Sequence, residues 1–305
     1  GEGDLLCSGE GTGRTNCVDL DTPNVGGVNP TSFAFLIVSL SCISQLLAFA
    51  LFAETGDHSQ QRERLLLYSS LIGSGSLICF AFFPVEEGSA KYIFAALITV
   101  ISNTAFGMAQ VYYNAYLPLI SEDQHKLDPR DSVEDIENNL STRALAYGYY
   151  AGVFGLILSI GVLVLTGGMS EDATEYEISS SFRWAIVLSG VWWFVGSLLT
   201  IPRFQSRPGE PKAFSWTGSL AKFKNTIGTA YSVLPITFWY LIYYFLYSDG
   251  YSTIAGLGLL YARLDMCANT SSLFVIAIEA PLFAAFGNFF WLWLSRKYKF
   301  SNQTM

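Results

Sequence analysis

Long apolar runs separated by short polar connections make up the chain from residue 30 onward. Each run comes close to or exceeds the roughly 20 residues that a helix needs to cross the hydrocarbon core of a bilayer. Continuous apolar runs pair their backbone groups in lipid as helices, whereas barrel strands would give short segments of alternating polarity. The pattern therefore predicts seven membrane-spanning helices, at residues 30–53, 65–83, 92–120, 143–167, 182–201, 228–262 and 272–295.

The sixth run is too long to be one straight membrane helix. Ser248, Asp249 and Gly250 lie near its middle, and such a position is where a long helix most easily changes direction. We therefore expect the helix to tilt, kink or break there. The alternative is a helix that begins later, with Asp249 in a turn.

Composition supports an all-α polytopic membrane protein. The 305 residues are 51% hydrophobic and only 14% charged, with a mean hydropathy of +0.36, which is too apolar for an ordinary soluble domain. The net charge of −8 comes largely from acidic residues in the tail and loops, which we interpret as solvated connections. A lipid bilayer is therefore the first predicted partner.

The basic residues divide unequally between the two sides of the predicted membrane. One set of alternate connections holds thirteen of the 17 lysines and arginines, and the other set, with the N-terminal tail, holds four. Connections rich in lysine and arginine stay in the cytoplasm. The N-terminal tail is therefore predicted to be luminal or external, and the C-terminus cytoplasmic.

Four positions of the third run form a stripe along one helix face, namely Asn103, Gly107, Gln110 and Asn114, and Tyr113 lies beside them. Amides are poorly accommodated by lipid, so this face should point into the bundle. Two interpretations fit: the amides bond neighbouring helices, or they line a cavity through which a solute passes.

Two carboxylates fall inside predicted spans. Asp249 is the stronger candidate, because a charged group deep in a bilayer needs a partner, a proton or water, and Tyr247 precedes it on a nearby face. We expect Asp249 to lie on a substrate or proton path unless it lies in a turn. Glu279, two residues before Pro281, could pair with a cation or carry a proton.

Small and aromatic residues of two other runs are interpreted as packing positions. Ala144, Gly148 and Gly152 recur every four residues, which would let another helix approach closely. Trp192 and Trp193 are expected to lie in the apolar body or at an interface rather than to stack on a substrate.

The predicted luminal segments contain two candidate modifications. Cys7 and Cys17 lie together in the tail and could form a disulfide or remain free thiols. Asn269 opens a glycosylation sequon in a connection that is predicted to be luminal.

Enzyme motifs are not found in the sequence. It has two histidines, both in predicted cytoplasmic connections without a nearby cysteine, and it lacks a nucleophile elbow, a phosphate loop and a dinucleotide fingerprint. We therefore predict no catalytic residue, no metal and no cofactor. No basic cluster or aromatic platform suggests a nucleic-acid partner.

Several stretches resemble known transporters. The turn "AETGDHSQQRERLLL" resembles a degenerate form of the signature between helices two and three of the major facilitator superfamily, with that signature's leading glycine replaced near Glu54 and Thr55. A similar basic turn, "FGNFFWLWLSRKYKFS", ends the last run, as expected of a fold with two related halves. More specific stretches are "NPTSFAF", "YYNAYLPLI", "STRALAYGYYAG", "FRWAIVLSGVWWFVGSLLTIP", "RPGEP" and "FLYSDGYSTIAG". Together they resemble the autophagy-related protein 22 family of vacuolar effluxers.

The resemblance implies a major facilitator-type helical bundle of twelve helices, of which this chain covers about helices two to eight. It implies a multi-pass protein of the vacuole or lysosome membrane that exports amino acids to the cytoplasm after autophagic breakdown, by alternating access. Amino acids, and protons if the flux is coupled, would be its small-molecule partners. In the superfamily turn, Asp57, Arg62 and Arg64 would form a cytoplasmic gate.

The predicted organisation has four parts. Residues 1–29 form a luminal connection, 30–201 an N-terminal bundle of five spans, 202–227 a cytoplasmic linker and 228–305 the first two spans of a C-terminal bundle. Within the linker we expect a short helix on the membrane surface.

A seven-span G-protein-coupled receptor is the alternative function, because it has the same number of spans and the same orientation. The third run ends "NAYLPLISED" without the acidic-Arg-aromatic triplet of such receptors, and the last run lacks their Asn-Pro-x-x-Tyr. The transporter is therefore the favoured interpretation.

Overall fold

The computed structural model of the chain describes residues 30–58, 62–83, 89–170, 173–204, 216–264, 266 and 270–298. Every regular element within these ranges is a helix, which confirms the all-α prediction. The α-helices are α1 (Pro30–His58), α2 (Arg62–Ile78), α3 (Ser89–Asn114), α4 (Leu117–Leu127), α5 (Val133–Leu165), α6 (Glu175–Thr200), α7 (Trp216–Val233), α8 (Pro235–Leu264) and α9 (Thr270–Tyr298). Short 3₁₀ turns follow α2 at Cys79–Phe82 and α6 at Ile201–Arg203.

Six of the seven predicted membrane spans correspond to helical segments that are long and apolar enough to cross a bilayer. Among the described residues these are Ser32–Phe52, Arg62–Phe82, Tyr92–Leu127, Val133–Leu165, Tyr176–Arg203 and Ser272–Leu294. The bent pair Thr217–Val233 and Pro235–Leu259 makes a seventh when its two helices are counted as one span. A polytopic membrane protein is therefore confirmed.

Two helices begin well before the apolar runs that predicted them. At the start of α5, the side chain of Ser132 accepts a hydrogen bond from the backbone nitrogen of Asp135, at 3.1 Å. At the start of α6, Thr174 and Glu177 form a reciprocal capping box, with distances of 3.3 and 2.8 Å. Capping residues satisfy the free backbone groups of a helix end in water, so these helices extend beyond the hydrocarbon length.

Of the tilt, kink or break predicted at Ser248–Gly250, the break is not formed, because the chain is helical throughout α8. The break lies instead at Leu234, where the axes of α7 and α8 meet at 115°. Pro235 explains this position: proline lacks a backbone donor and its ring clashes with the carbonyl four residues earlier, so a helix readily begins at a proline and is kinked or ended by one in its interior. The membrane helix therefore begins at Pro235 rather than at residue 228, and Asp249 lies in its middle.

Helices α1, α2, α3 and α6 pack together, α2 lying between α3 and α6 and α1 lying against α3, while α5 packs against α6 and α9. α2 and α6 approach each other closely: the Trp193 indole rests on Gly73, and Gly190 faces the backbone of α2. The rings of Trp193 and Phe106 also meet edge to face, at 5.8 Å between centres. Both contacts of Trp193 fit the packing role predicted for this residue.

The helices of this packed group run in two opposite directions, so their ends collect at two opposite sides. A buried cluster at one side brings together the end of α1, the start of α2 and the ends of α3 and α6, through Leu66, Met108, Ala109, Tyr112, Tyr116 and Ile201. At the opposite side, the Arg183 guanidinium donates to the carbonyl of Phe83, and the rings of Phe83 and Phe94 lie 4.8 Å apart. We refer to the first side as the basic end, since it is the side predicted to face the cytoplasm.

Candidate functional site

Arg62 is buried at the basic end although it is the first residue of α2. The residue is 6% exposed, and its guanidinium carbon lies 5.7 Å from the centre of the Tyr116 ring. The dipole of a helix disfavours a cation at its N-terminus, whereas the face of an aromatic ring attracts one. Tyr116 therefore helps to hold this arginine in place, while Arg64, the other predicted gate arginine, is exposed.

Aromatic and hydroxyl contacts extend from Arg62 to the ends of three other helices. The Tyr116 ring meets Phe204, after α6, edge to face at 5.5 Å between centres. The Tyr112 hydroxyl lies 3.2 Å from the Thr55 hydroxyl of α1, which also donates to the carbonyl of Phe52. We call Thr55, Arg62, Tyr112, Tyr116 and Phe204 the gate cluster, because they join α1, α2, α3 and the end of α6 in one layer.

The gate role predicted for Asp57, Arg62 and Arg64 stays a prediction. Asp57 lies in the last turn of α1, and its side chain falls outside the described residues. Of the two arginines, only Arg62 belongs to the gate cluster. A layer of this kind can close the bundle at the basic end when it is assembled and open it when the helix ends separate.

The first half of the amide stripe on α3 contacts α1. Asn103 donates from its side-chain nitrogen to the Ser41 hydroxyl at 3.2 Å, and Gln45 donates to the Asn103 carbonyl at 2.9 Å. A Cβ at Gly107 would lie 3.0 Å from the ring of Phe49, so the two helices approach closely there. At this end of the stripe, the amide bonds a neighbouring helix, as one of the two interpretations predicted.

The second half of the stripe is open. Gln110 and Asn114 are exposed, and Tyr113 is 44% exposed. These side chains are not covered by any other described helix, which leaves the cavity-lining interpretation available for them. Their role on a solute path stays a prediction.

The predicted path residues of the C-terminal half are not joined to this stripe by any contact among the described side chains. Tyr247 is 60% exposed on α8 and stacks on Tyr243 at 6.3 Å between ring centres. Glu279 is exposed on α9, two residues before Pro281 inside that helix. The side chain of Asp249 falls outside the described residues.

Three further predicted residues, Cys7, Cys17 and Asn269, also lie outside the described ranges. The disulfide and the glycosylation site therefore stay predictions. The same is true of the luminal assignment of the N-terminal tail.

A groove of about 540 Å³ runs between α5 and α6, with Gly152, Gly155 and Trp192 among its lining residues. Three of its four lining hydroxyls donate within their own helix: Ser159 to the carbonyl of Gly155 at 2.9 Å, Ser189 to that of Ala185 at 3.0 Å and Thr200 to that of Gly196 at 2.7 Å. The groove therefore presents a mostly apolar surface. The close helix contact predicted at Gly148 and Gly152 is not made by any described helix, since no atom would lie within 4 Å of a Cβ at either position.

Several residues of the gate cluster and of the contact between α1 and α3 were not predicted from the sequence. Gln45 could have been found, because a lone amide in an apolar run needs a partner. Thr55 and Phe204 have no such signal, since a threonine at a helix end and a phenylalanine after a membrane span are common. Their role depends on which helix ends meet.

Comparison with known proteins gives a consistent result. The family model described as "Vacuole effluxer Atg22 like" matches residues 6–305. Autophagy-related protein 22-1 of Aspergillus terreus is 25% identical over 89% of this chain and 54% of its own length. Autophagy-related proteins 22-2 of Aspergillus oryzae and Neosartorya fischeri are 25% and 27% identical, each over 91% of this chain and 55% of their own length. No solved structure matches the chain.

The chain spans about half the length of these relatives. The match confirms the resemblance noted in the sequence, and together with the apolar helices it confirms a multi-pass protein of the vacuolar membrane. The family is described as one of effluxers, not of enzymes. Because its family model covers nearly the whole sequence, the chain belongs to the vacuole effluxer Atg22-like family.

Proposed function

We propose that the full-length protein exports amino acids from the vacuole lumen to the cytoplasm by alternating access. The observation that carries the proposal is the family match over residues 6–305, together with six described helical segments that are long and apolar enough to cross a membrane. Transport needs a membrane-embedded path that opens to one side at a time. The receptor alternative has no comparable support, because the family is described by efflux.

The gate cluster supports alternating access at the basic end. Arg62 and Tyr116 are each less than a tenth exposed, and with Tyr112 they fill the space between α1, α2 and α3. A buried layer of this kind has two discrete arrangements, packed or separated, rather than a continuous range. We propose that it is packed when the path is open to the lumen and separates when the solute leaves to the cytoplasm.

We propose that Asp249 couples export to protons. It lies in the middle of α8, in a helix whose neighbouring tyrosines are exposed, and a carboxylate in mid-membrane is most stable when protonated, paired or hydrated. Protonation from the acidic lumen and release to the cytoplasm would couple the proton gradient to movement of a small neutral solute. Asn at this position keeps the shape but cannot bind the proton.

Purified full-length protein in proteoliposomes tests the proposals of amino-acid export and of proton coupling by Asp249. Vesicles loaded with a mixture of labelled amino acids should lose them faster than vesicles without protein, and an acidic lumen should increase the rate. Asp249→Asn should abolish the pH dependence, and Asp249→Glu should restore part of it.

Different results separate the two claims. If vesicles with protein release amino acids no faster than protein-free vesicles, the proposed substrate class is wrong. If Asp249→Asn releases them with unchanged rate and pH dependence, export stands but the assignment of the proton to Asp249 fails.

A further inference from the structure

Helix α7 has an apolar face that is largely exposed, with Tyr231 near its end meeting the ring of Phe238 on α8 edge to face at 5.3 Å between centres. Leu220, Phe223, Ile227 and Tyr231 are 48%, 39%, 47% and 63% exposed. They recur at intervals of three or four residues, so they lie on one side of the helix. A continuous apolar stripe over almost the whole length of a helix marks a contact surface.

The angle between α7 and α8 indicates that the apolar stripe contacts one leaflet of the bilayer. α7 runs into α8 through a break at Leu234, and their axes meet at 115°. If α8 crosses the bilayer near its normal, α7 lies within about 25° of the membrane plane. α7 also packs against α1, and Ser219, which lies to one side of the apolar stripe, is 4% exposed. The described protein therefore covers one flank of α7 and, apart from the contact of Tyr231 with Phe238, leaves the stripe exposed.

Charge complementarity indicates which lipids would bind. Successive residues of a helix are rotated by about 100°. Lys224 therefore lies at the edge of the apolar stripe, on the side away from Ser219. Asn225 and Thr229 lie on the helix face opposite the stripe. Lys224 is exposed, and a lysine in this position can bury its stem in the interface while its ammonium reaches phosphate groups. An apolar stripe, a lysine at its edge and a polar outer face are the features of an interfacial helix that lies on an anionic leaflet.

We propose that α7 lies in the headgroup region of the leaflet at the basic end, with its apolar stripe in the acyl chains and Lys224 bound to the phosphates of anionic phospholipids. This interaction is independent of the solute carried. It anchors the connection between the two helical halves to the membrane, so lipid composition at that leaflet would bear on how the halves move.

Nitroxide labels on the full-length protein in vesicles test the orientation of α7. One label replaces Phe223, and its matched control replaces Asn225 on the polar face, in a protein whose other reactive cysteines are changed to serine. We expect the label at 223 to collide with oxygen, which dissolves in lipid, and the label at 225 to collide with a water-soluble nickel reagent. Collision of the 223 label with the nickel reagent, or its shielding from both reagents by protein, overturns the proposal.

The lipid preference has its own test in the same protein. The 223 label should move deeper when phosphatidylserine is added to phosphatidylcholine vesicles, and inorganic phosphate added to phosphatidylcholine vesicles should not cause the shift. Lys224→Gln should lose the shift, whereas Lys126→Gln, an equal loss of charge at an exposed lysine of α4, should keep it. Equal depth in both lipids, or an equal response of the two variants, contradicts anionic-lipid binding by Lys224.

Discussion

At the scale of single residues, Asn103 makes two separate hydrogen bonds to α1, one through its side chain and one through its backbone. The side chain of Asn103 donates to Ser41, while its backbone carbonyl accepts from Gln45. Ser41 is 2% exposed and in turn donates to the carbonyl of Ile37 at 2.9 Å. Lipid offers no hydrogen-bond partner, so these bonds favour one register of α1 against α3.

A double-mutant cycle isolates the side-chain bond, because Asn103→Ala leaves the backbone carbonyl and its bond from Gln45 in place. We expect Asn103→Ala and Ser41→Ala to show a coupling free energy of about 0.6 kcal/mol, the average for such bonds in membranes. The measurement is the free energy of unfolding in mixed micelles. The control pair is Asn103→Ala with Ser44→Ala, since Ser44 bonds Thr104 rather than Asn103; a coupling as large in that pair would contradict the assignment.

The residue scale also shows how far the sequence could predict this seam. The spacing of Asn103 and Gly107 predicted that both lie on one inward face, because helix geometry alone sets which residues share a face. The choice of Ser41 and Gln45 as partners could not be predicted. It depends on the crossing point of α1 and α3, which side-chain packing along both helices determines.

At the scale of helices, small residues determine how closely α2 and α6 pack. A Cβ at Gly190 would lie 2.8 Å from the Leu77 Cβ and 3.1 Å from the backbone nitrogen of Ile78 and the carbonyl of Ser74. Backbone atoms cannot move aside as a long side chain can, so the two helices would have to separate. Gly196, on the same helix, has no atom within 4 Å of such a Cβ.

Gly190→Ala and Gly196→Ala therefore form a matched pair. Overpacking should make Gly190→Ala less stable by about 1–3 kcal/mol, whereas Gly196→Ala should be neutral or gain up to about 1 kcal/mol from helix propensity. Thermal unfolding midpoints in detergent should fall for Gly190→Ala only. Equal midpoints for the two variants would show that α2 and α6 are not in close contact.

Helix ends show the limit of prediction at this scale. Apolar length located every membrane helix, because hydrocarbon thickness fixes the number of residues that must be apolar. It could not locate the starts of α5 and α6, which capping side chains set in water, nor the break at Leu234. That break follows from Pro235, which was hidden in an apolar run because proline changes backbone geometry with little effect on hydropathy.

At the scale of the whole molecule, burial separates two arginines that are alike in sequence. Both lie in the first turn of α2, and both count equally in the charge bias that sets orientation. Arg62 is buried beneath Tyr116, which in turn meets Phe204 where α6 ends, whereas Arg64 is exposed. An arginine needed only for orientation has no reason to be buried. We therefore propose Arg62, rather than Arg64, as the gate arginine, and the gate role itself stays a prediction.

Efflux of labelled amino acids from vacuolar vesicles, normalised to the amount of full-length protein delivered, tests this account most directly. The parental protein and Arg64→Gln should export at similar initial rates. Arg62→Gln, with the same loss of charge, should be delivered normally but export several-fold more slowly, because the gate cluster loses the cation that Tyr116 binds. If the parental protein exports no amino acids, or if Arg62→Gln matches Arg64→Gln, the account is contradicted.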